Sequence, residues 1–258
     1  MIDLRRLAGD AGLQPASILV QVLDSGEILG ALDPEANLYP ASMIKVPLVA
    51  AAMVEVAAGR LRLDQRAEVA EANMTSNDAP SPMVPGYSAR VGELCELAIS
   101  RSDNVATNML FDLVGRERAT AIVRDTFALH HTAFHRKLSG SDPLIHDPEW
   151  DGVHLNSHPC SDAAALFRLI GLDRIPNSDI LRGALAKQYW NDKLSRGLAP
   201  GEAFMHKTGD TSDVTHDGGL LLTAQGRAYV IVVYTGLAST DNNNARFAPF
   251  MRALRAQL

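Results

Sequence analysis

The chain has 258 residues, 47% of them hydrophobic and 21% charged, with a formal net charge of -6. That length buries a substantial core in one large domain or two interleaved ones, and the composition is that of a soluble globular protein. The acidic balance, with no block of Lys or Arg, argues against a nucleic-acid or membrane-surface partner and leaves small molecules as the expected substrate class.

Residues 3–13 predict an amphipathic helix, with Leu4, Leu7, Ala8 and Ala11 at helical spacing and Gly12 as its stop. The first six residues begin no apolar signal-peptide region, so the chain is cytoplasmic as written or an exported mature form. No apolar run reaches membrane-spanning length. Segments 17–23 and 28–32 flank Asp24-Ser25-Gly26 and read as a β-hairpin. From Ser42 to about residue 58 the pattern turns helical, which puts Ser42 and Lys45 three residues apart on one face of a first turn. A hydroxyl nucleophile there stands beside an amine.

Residues 71–90 are rich in Asn, Ser, Pro and Gly and predict a surface loop bordering a cleft. Helices are expected over 91–99, 104–114 and 116–127, then again over 162–170 and 179–188. Between them, residues 136–160 are polar and broken by proline and glycine, and a loop of that length in a compact domain is usually functional. The end of the chain changes period: 203–207, 219–223 and 228–234 read as strands, and a last helix is expected over 244–254. Helix and strands, a helical middle, then strands and helix fit a sheet assembled from both ends of the chain. Cys95 and Cys160 read as two buried thiols, with a single bridge between them as the alternative.

Two further triplets follow Ser42 and Lys45. Ser102-Asp103-Asn104 falls at the junction of two predicted helices, and Lys207-Thr208-Gly209 at the end of a predicted strand. Each motif alone is close to noise, but all three in this order, each at an element end, do not read as coincidence. With residues 91–108, which match a helix-SDN-helix region closely, they make the chain resemble the penicillin-recognising serine enzymes, above all class A β-lactamases and β-lactamase-like serine hydrolases.

The resemblance implies an α+β fold: a five-stranded antiparallel sheet flanked by N- and C-terminal helices, beside an all-α second domain. Residues 1–45 and 200–258 would form the α/β domain and 46–199 the helical one, with the site in the cleft between them. It also implies the roles. Ser42 attacks an amide or ester carbonyl, and Lys45 takes its proton if burial and a second cation, Lys207, keep the amine neutral. Ser102 bridges the two lysines and relays a proton to the departing nitrogen. Asn104 meets the substrate's acyl side chain, Thr208 its carboxylate, and the backbone N–H groups of Ser42 and Asp210, next to Gly209, form the oxyanion hole. A carboxylate at Asp210 is unusual, and it must point away or be paired.

The chain also departs from that pattern. Where class A enzymes carry the Glu that activates the deacylating water, this sequence has Lys137-Leu138-Ser139-Gly140. The nearest acids are Asp142, Asp147, Glu149 and Asp151; Glu149 is the candidate base, with a solvated loop charge as the alternative. The usual carboxylate-binding Arg is missing from Thr215-His216-Asp217-Gly218-Gly219, and Arg246 is the candidate substitute. The stretch 188–192 is closer to the β-lactamase-like hydrolases than to the resistance enzymes.

His131 and His135 have the i, i+4 spacing of a metal pair but no accompanying H-E-x-x-H pattern, so no metal and no cofactor are expected. His206 and His216 flank the KTG triplet and are expected to titrate near neutral pH. Tyr87 is either a cleft-wall aromatic or a loop residue. The expected protein is a monomeric serine hydrolase acting on β-lactams or related amides and esters, with slow release of the acyl group. The alternatives are a D-Ala-D-Ala peptidase or penicillin-binding protein, an esterase, or a catalytically lapsed binding domain.

Overall fold

A computed structural model describes residues 1–140 and 144–258. Helix α1 (Leu4–Ala11) is capped by the Asp3 carboxylate, which accepts the Arg6 N–H at 3.0 Å, and stops at Gly12 in the left-handed conformation (φ 71°). The hairpin of β1 (Ala16–Val22) and β2 (Ile28–Leu32) follows. A 3-10 turn over Ala41–Ile44 then runs directly into α2 (Lys45–Ala57). Two three-residue strands, β3 (Arg66–Glu68) and β4 (Ser88–Arg90), pair at the base of the 71–90 loop. They are too short to leave an alternation signal in the sequence.

Helices α3 (Val91–Ser100), α4 (Asn104–Val114) and α5 (Arg116–Phe127) come next, and α6 (Cys160–Gly171) and α7 (Ser178–Ala186) follow the long loop. The chain ends in β5 (Ala203–Asp210), β6 (Thr215–Leu222), β7 (Ala228–Thr235), α8 (Asp241–Ala245) and α9 (Phe247–Arg255). The expected last helix is therefore two pieces. Pro249, in the first turn of α9, has no N–H to continue the ladder back to Ala245. The last strands also run further than expected, so Lys207-Thr208-Gly209 lies within β5.

The sheet order is β2-β1-β7-β6-β5, all antiparallel, so both ends of the chain meet at the β1–β7 pairing. Alternation along β7 divides the core. Tyr229, Ile231 and Val233 face α1 and α9, where Leu4, Phe247, Phe250 and Leu254 close one cluster. Val230, Val232 and Tyr234 face the other way and join the larger cluster of α2 to α7. Helix α2 is buried on nearly every side, which is why its first residue, Lys45, is buried with it. Among the described residues no helix is long and apolar enough to cross a membrane.

Cys95 and Cys160 are buried free thiols, and burial pushes both up to about 12.

Candidate active site

Three elements deliver the motifs to one place. The 3-10 turn presents Ser42, the α3–α4 junction presents Ser102 and Asn104, and edge strand β5 presents Lys207 and Thr208. The turn and the strand touch because residue 209 is glycine. A Cβ there would stand 3.0 Å from the Pro40 carbonyl oxygen and 3.1 Å from Met43 Cγ, tighter than ordinary packing allows. The α3–α4 junction turns on Ser102, held at φ 58°, and Asp103 then caps α4 by accepting the Ala106 N–H at 2.8 Å. Ala41, just before Ser42, is also left-handed (φ 48°). Backbone strain in residues other than glycine thus sits on both hydroxyl-bearing turns, a pattern typical of functional sites.

Ser102 joins the two buried lysines. Lys207 Nζ donates to Ser102 Oγ at 2.9 Å and to the Thr208 carbonyl at 2.7 Å. Lys45 Nζ donates to the same Ser102 Oγ at 3.1 Å, to Asn104 Oδ1 at 2.7 Å and to the Ser102 carbonyl. With two N–H groups already on its oxygen, the Ser102 hydroxyl keeps its own hydrogen for a third partner.

Burial drives the Lys45 amine down to about 7, against the opposing pull of Asp103 and Asp78. Lys207 is also held well below the ordinary lysine range, first by burial and then by the charge of Lys45. A large fraction of Lys45 is therefore neutral near pH 7. As a neutral amine it has two hydrogens and one lone pair, so only two of its three hydrogen bonds are donated and the lone pair can accept a proton.

Asn104 is held rigidly. Its N–H donates to Asn77 Oδ1 at 2.6 Å and its side-chain Nδ2 to the Ser76 carbonyl at 2.9 Å, which ties the 71–90 loop to the cleft. Tyr87 does not reach the cleft; its hydroxyl donates to Glu93 at 2.8 Å in a separate surface depression.

The carboxylate of Asp210 is paired. Lys193 Nζ, with only 1% of its side chain exposed, donates to Asp210 Oδ1 at 2.6 Å and to the His216 carbonyl at 2.9 Å. Ser239 and Thr215 donate to the same Asp210 oxygen at 2.6 and 3.1 Å. Burial raises the Asp210 carboxyl, but Lys193, the Ser239 hydroxyl and Lys207 outweigh it and leave it below the usual range. Sequence reasoning missed Lys193. Its only local signal is a lysine between the polar Asn191-Asp192 pair and the start of a short 3-10 turn, which reads as surface.

Two depressions meet at Ser42. One, of about 380 Å³, is lined by Ser102, Thr208 and Trp190; the other, of about 440 Å³, by Asn104, Leu138 and Gly140. Asp78 and Asp210 border both.

Glu149 is in neither. It is 80% exposed and lies 3.3 Å from the Arg116 guanidinium in a different surface depression with Gly115 and His135. Arg116 also takes Asp147, which in turn accepts the Lys137 N–H at 2.7 Å, while Asp151 is held by His154. The described acids of the loop are thus held by Arg116 of α5 and by the loop itself; Asp142 lies outside the described residues. Among the described residues the loop sets Leu138, and no carboxylate, at the cleft, clamped by reciprocal bonds between its backbone and the buried Asn108 amide at 2.8 and 2.9 Å.

Arg246 is likewise displaced from its expected role. Its Nη1 donates to the Gly12 carbonyl at 2.7 Å, tying the last helices to the end of α1, and the neighbouring Asn244 lines the cleft instead.

The histidine expectations also change. His216 is buried, stacked on Tyr234 at 4.1 Å, and bonded to the Tyr39 carbonyl and the Thr235 N–H. Burial pushes it down to about 4, so it does not titrate near neutral pH. His206 is buried against Asp217 at 2.7 Å. His131 and His135 point to different partners, Glu35 and the His154 ring. No metal-ligating cluster occurs among the described residues.

Comparison with known proteins agrees with this arrangement. The chain is 32% identical over 125 residues to the β-lactamase regulatory protein BlaB of Streptomyces cacaoi, covering 48% of this chain and 39% of that protein. It is 23% identical over 210 residues to the extended-spectrum β-lactamase PER-1 of Pseudomonas aeruginosa, covering 75% of this chain and 66% of that one. The chain therefore spans less than two thirds of the length of either relative. Among solved structures, PBP-A superposes with a TM-score of 0.81 at 25% identity, covering 99% of this chain and 96% of that one. A variant of PBP-A is also solved as an acyl-enzyme with penicillin G. The sequence model of the beta-lactamase enzyme family matches residues 3–254. With that match over almost its whole length, and with the motifs of the three elements converging on Ser42, the chain belongs to the beta-lactamase enzyme family.

Proposed function

We propose that this protein is a serine acyl-transfer hydrolase that forms an acyl-enzyme on Ser42 and releases it slowly, so that it behaves as a penicillin-binding enzyme more than as an efficient lactamase. The observation that carries the reading is the Lys45–Ser102–Lys207 bridge beside Ser42. Neutral Lys45 takes the Ser42 proton as Oγ bonds to the substrate carbonyl carbon. The backbone N–H groups of Ser42 and Asp210 receive the oxyanion, and Lys193 keeps the Asp210 carboxylate from opposing it. The proton then passes through Ser102 to the departing nitrogen as the amide bond breaks.

Release is the weak step. Water must attack the ester from the half of the cleft where the loop contributes Leu138, Ser139 and Gly140. A positioned general base is typically worth about 10²–10⁴-fold, and among the described residues the 136–160 loop brings no carboxylate to that side, which favours a long-lived ester.

The test is intact-mass analysis after incubation with benzylpenicillin and, separately, with a neutral fluorophosphonate, on the parent and on Ser42→Ala. A stable adduct of one equivalent on the parent, absent from Ser42→Ala, is expected. An adduct that survives the substitution would overturn the assignment of the nucleophile, and rapid turnover of penicillin with no accumulating adduct would overturn slow release. The lapsed-domain reading, which the name of the BlaB relative brings forward, predicts no labelling by either reagent.

A further inference from the structure

We propose that Asp78 is the general base of release: its carboxylate, carried by the 71–90 loop, takes the proton of the water that hydrolyses the ester on Ser42. This rests on the acyl-enzyme reading above and fills the step that the long loop leaves open.

The two depressions at Ser42 differ in their linings. Ser102, which in the proposed reaction serves the departing atom, lines only the 380 Å³ depression, and Asn104, which serves the acyl side chain, lines only the 440 Å³ one. Among the described residues four acids border the cleft. Asp192 and Asp241 line only the first depression. Asp210 borders both, but Lys193, Ser239 and Thr215 already occupy it. Asp78 also borders both, and among the described residues no ion pair or side-chain hydrogen bond occupies it. It is the acid left to take a proton on the acyl side.

The residues before Asp78 hold it there. Asn77 Oδ1 accepts the Asn104 N–H at 2.6 Å, Asn77 Nδ2 donates to Asp103 Oδ1 at 3.2 Å, and the Ser76 carbonyl accepts Asn104 Nδ2 at 2.9 Å. The backbone leading into Asp78 is therefore pinned to the α3–α4 junction. The long loop docks on the same segment, with the Gly140 N–H on Thr75 Oγ1 at 2.8 Å and Lys137 Nζ on Asn73 Oδ1 at 2.8 Å. The loop that brings Leu138 to the acyl half thus leans on the loop that brings Asp78. Lys45 senses the same charge: burial drives its amine down, and Asp103 and then Asp78 pull it back up.

The Asp78 side chain is exposed, so water reaches it, while nothing orients it as a clamped base would be oriented. Such a base sustains release without making it fast. The oxygen of the water bonds to the acyl carbon as its proton passes to Asp78. The bond from that carbon to Ser42 Oγ then breaks, Oγ takes a proton from the Lys45 ammonium, and Asp78 returns its proton to solvent as Lys45 regains one.

The test follows the benzylpenicillin adduct by intact mass after excess penicillin is removed, on the parent, Asp78→Asn, Asp78→Glu and Asp241→Asn. The adduct on Asp78→Asn should outlive the parent's by about tenfold or more, with Asp78→Glu nearer the parent. Asp241→Asn removes an equal charge from the other depression and should leave the lifetime close to the parent's. Hydroxylamine, a nucleophile that needs no base, should release the acyl group as a hydroxamate at similar rates from the parent and from Asp78→Asn.

An unchanged lifetime in Asp78→Asn, an equal lengthening in Asp241→Asn, or release by hydroxylamine as impaired as release by water would overturn the proposal while leaving acylation of Ser42 intact. No adduct on the parent or on any variant would overturn the acyl-enzyme reading and this proposal together.

Discussion

Replacing Lys193 and Asp210 separately and together isolates what the pair contributes beside the proposed oxyanion site. Lys193 is 1% exposed and Asp210 34% exposed, so the two single changes are not equivalent. Asp210→Asn strands a fully buried ammonium, which keeps only the His216 carbonyl and the weaker amide oxygen as acceptors. Uncompensated buried charges cost about 3–5 kcal/mol, and the amide places this one near the lower end. Lys193→Met strands a carboxylate that still has Ser239, Thr215 and some solvent, so about 1–2 kcal/mol is expected. The double variant removes both charges and should cost about 1.5–3 kcal/mol less than the sum of the singles.

The assay is urea unfolding at pH 7 with a common m-value for the four proteins. The pH dependence has a definite sign. Asp210 lies below its usual range in the folded state, so its contribution is present above about pH 4, the ordinary carboxylate value, and is lost as pH falls below that. Additive single effects, or a Lys193→Met cost larger than that of Asp210→Asn, would refute the pairing argument.

Acylation by benzylpenicillin should follow the neutral form of Lys45: constant above about pH 8 and falling about tenfold per unit below pH 7, where the amine is protonated; a flat profile from pH 5 to 8 would exclude Lys45 as the base. Ser102→Ala removes the oxygen shared by Lys45 and Lys207 and should slow acylation by about 10²–10⁴-fold, measured by stopped-flow labelling. Leu138→Glu places a carboxylate on the acyl half of the cleft and should shorten the acyl-enzyme lifetime by at least about tenfold, read from the decay of the adduct mass. Gly209→Val forces the β5 edge away from the Pro40 carbonyl and should abolish acylation, measured by fluorophosphonate labelling, while far-UV circular dichroism keeps the parent's helix and strand signal.

What was legible in the sequence was whatever local spacing controls. Ser42 and Lys45 are one turn apart on a continuous helical pattern, and helices α4 and α5 were readable to the residue because Asp103 and Gly115 bound them. The middle of the last three strands, read over 219–223, starts at Thr215 in the structure and runs through Gly218 and Gly219. In the sheet they are close-approach positions, where a Cβ on Gly219 would meet the Met205 carbonyl at 2.1 Å. Spacing says nothing of where a loop acid points, so Glu149 and Arg246 were misplaced: Arg116 and the Gly12 carbonyl claim them, partners distant in sequence and unmarked by any motif.

The same division separates the steps of the chemistry. In the proposed reaction acylation depends on Ser42, Lys45, Ser102 and Lys207, whose geometry follows from a turn, a helix junction and a strand, so three short motifs suffice to reveal it. The cleft walls beyond that bridge come from residues whose only relation is that they border the two depressions at Ser42: Asp78 from a loop, Trp190 and Asp192 from before β5, Asp241 from α8 and Leu138 from the long loop. Each of these can change without disturbing the lysine bridge. A family sharing that bridge can therefore diverge in the walls of its cleft, which no motif marks.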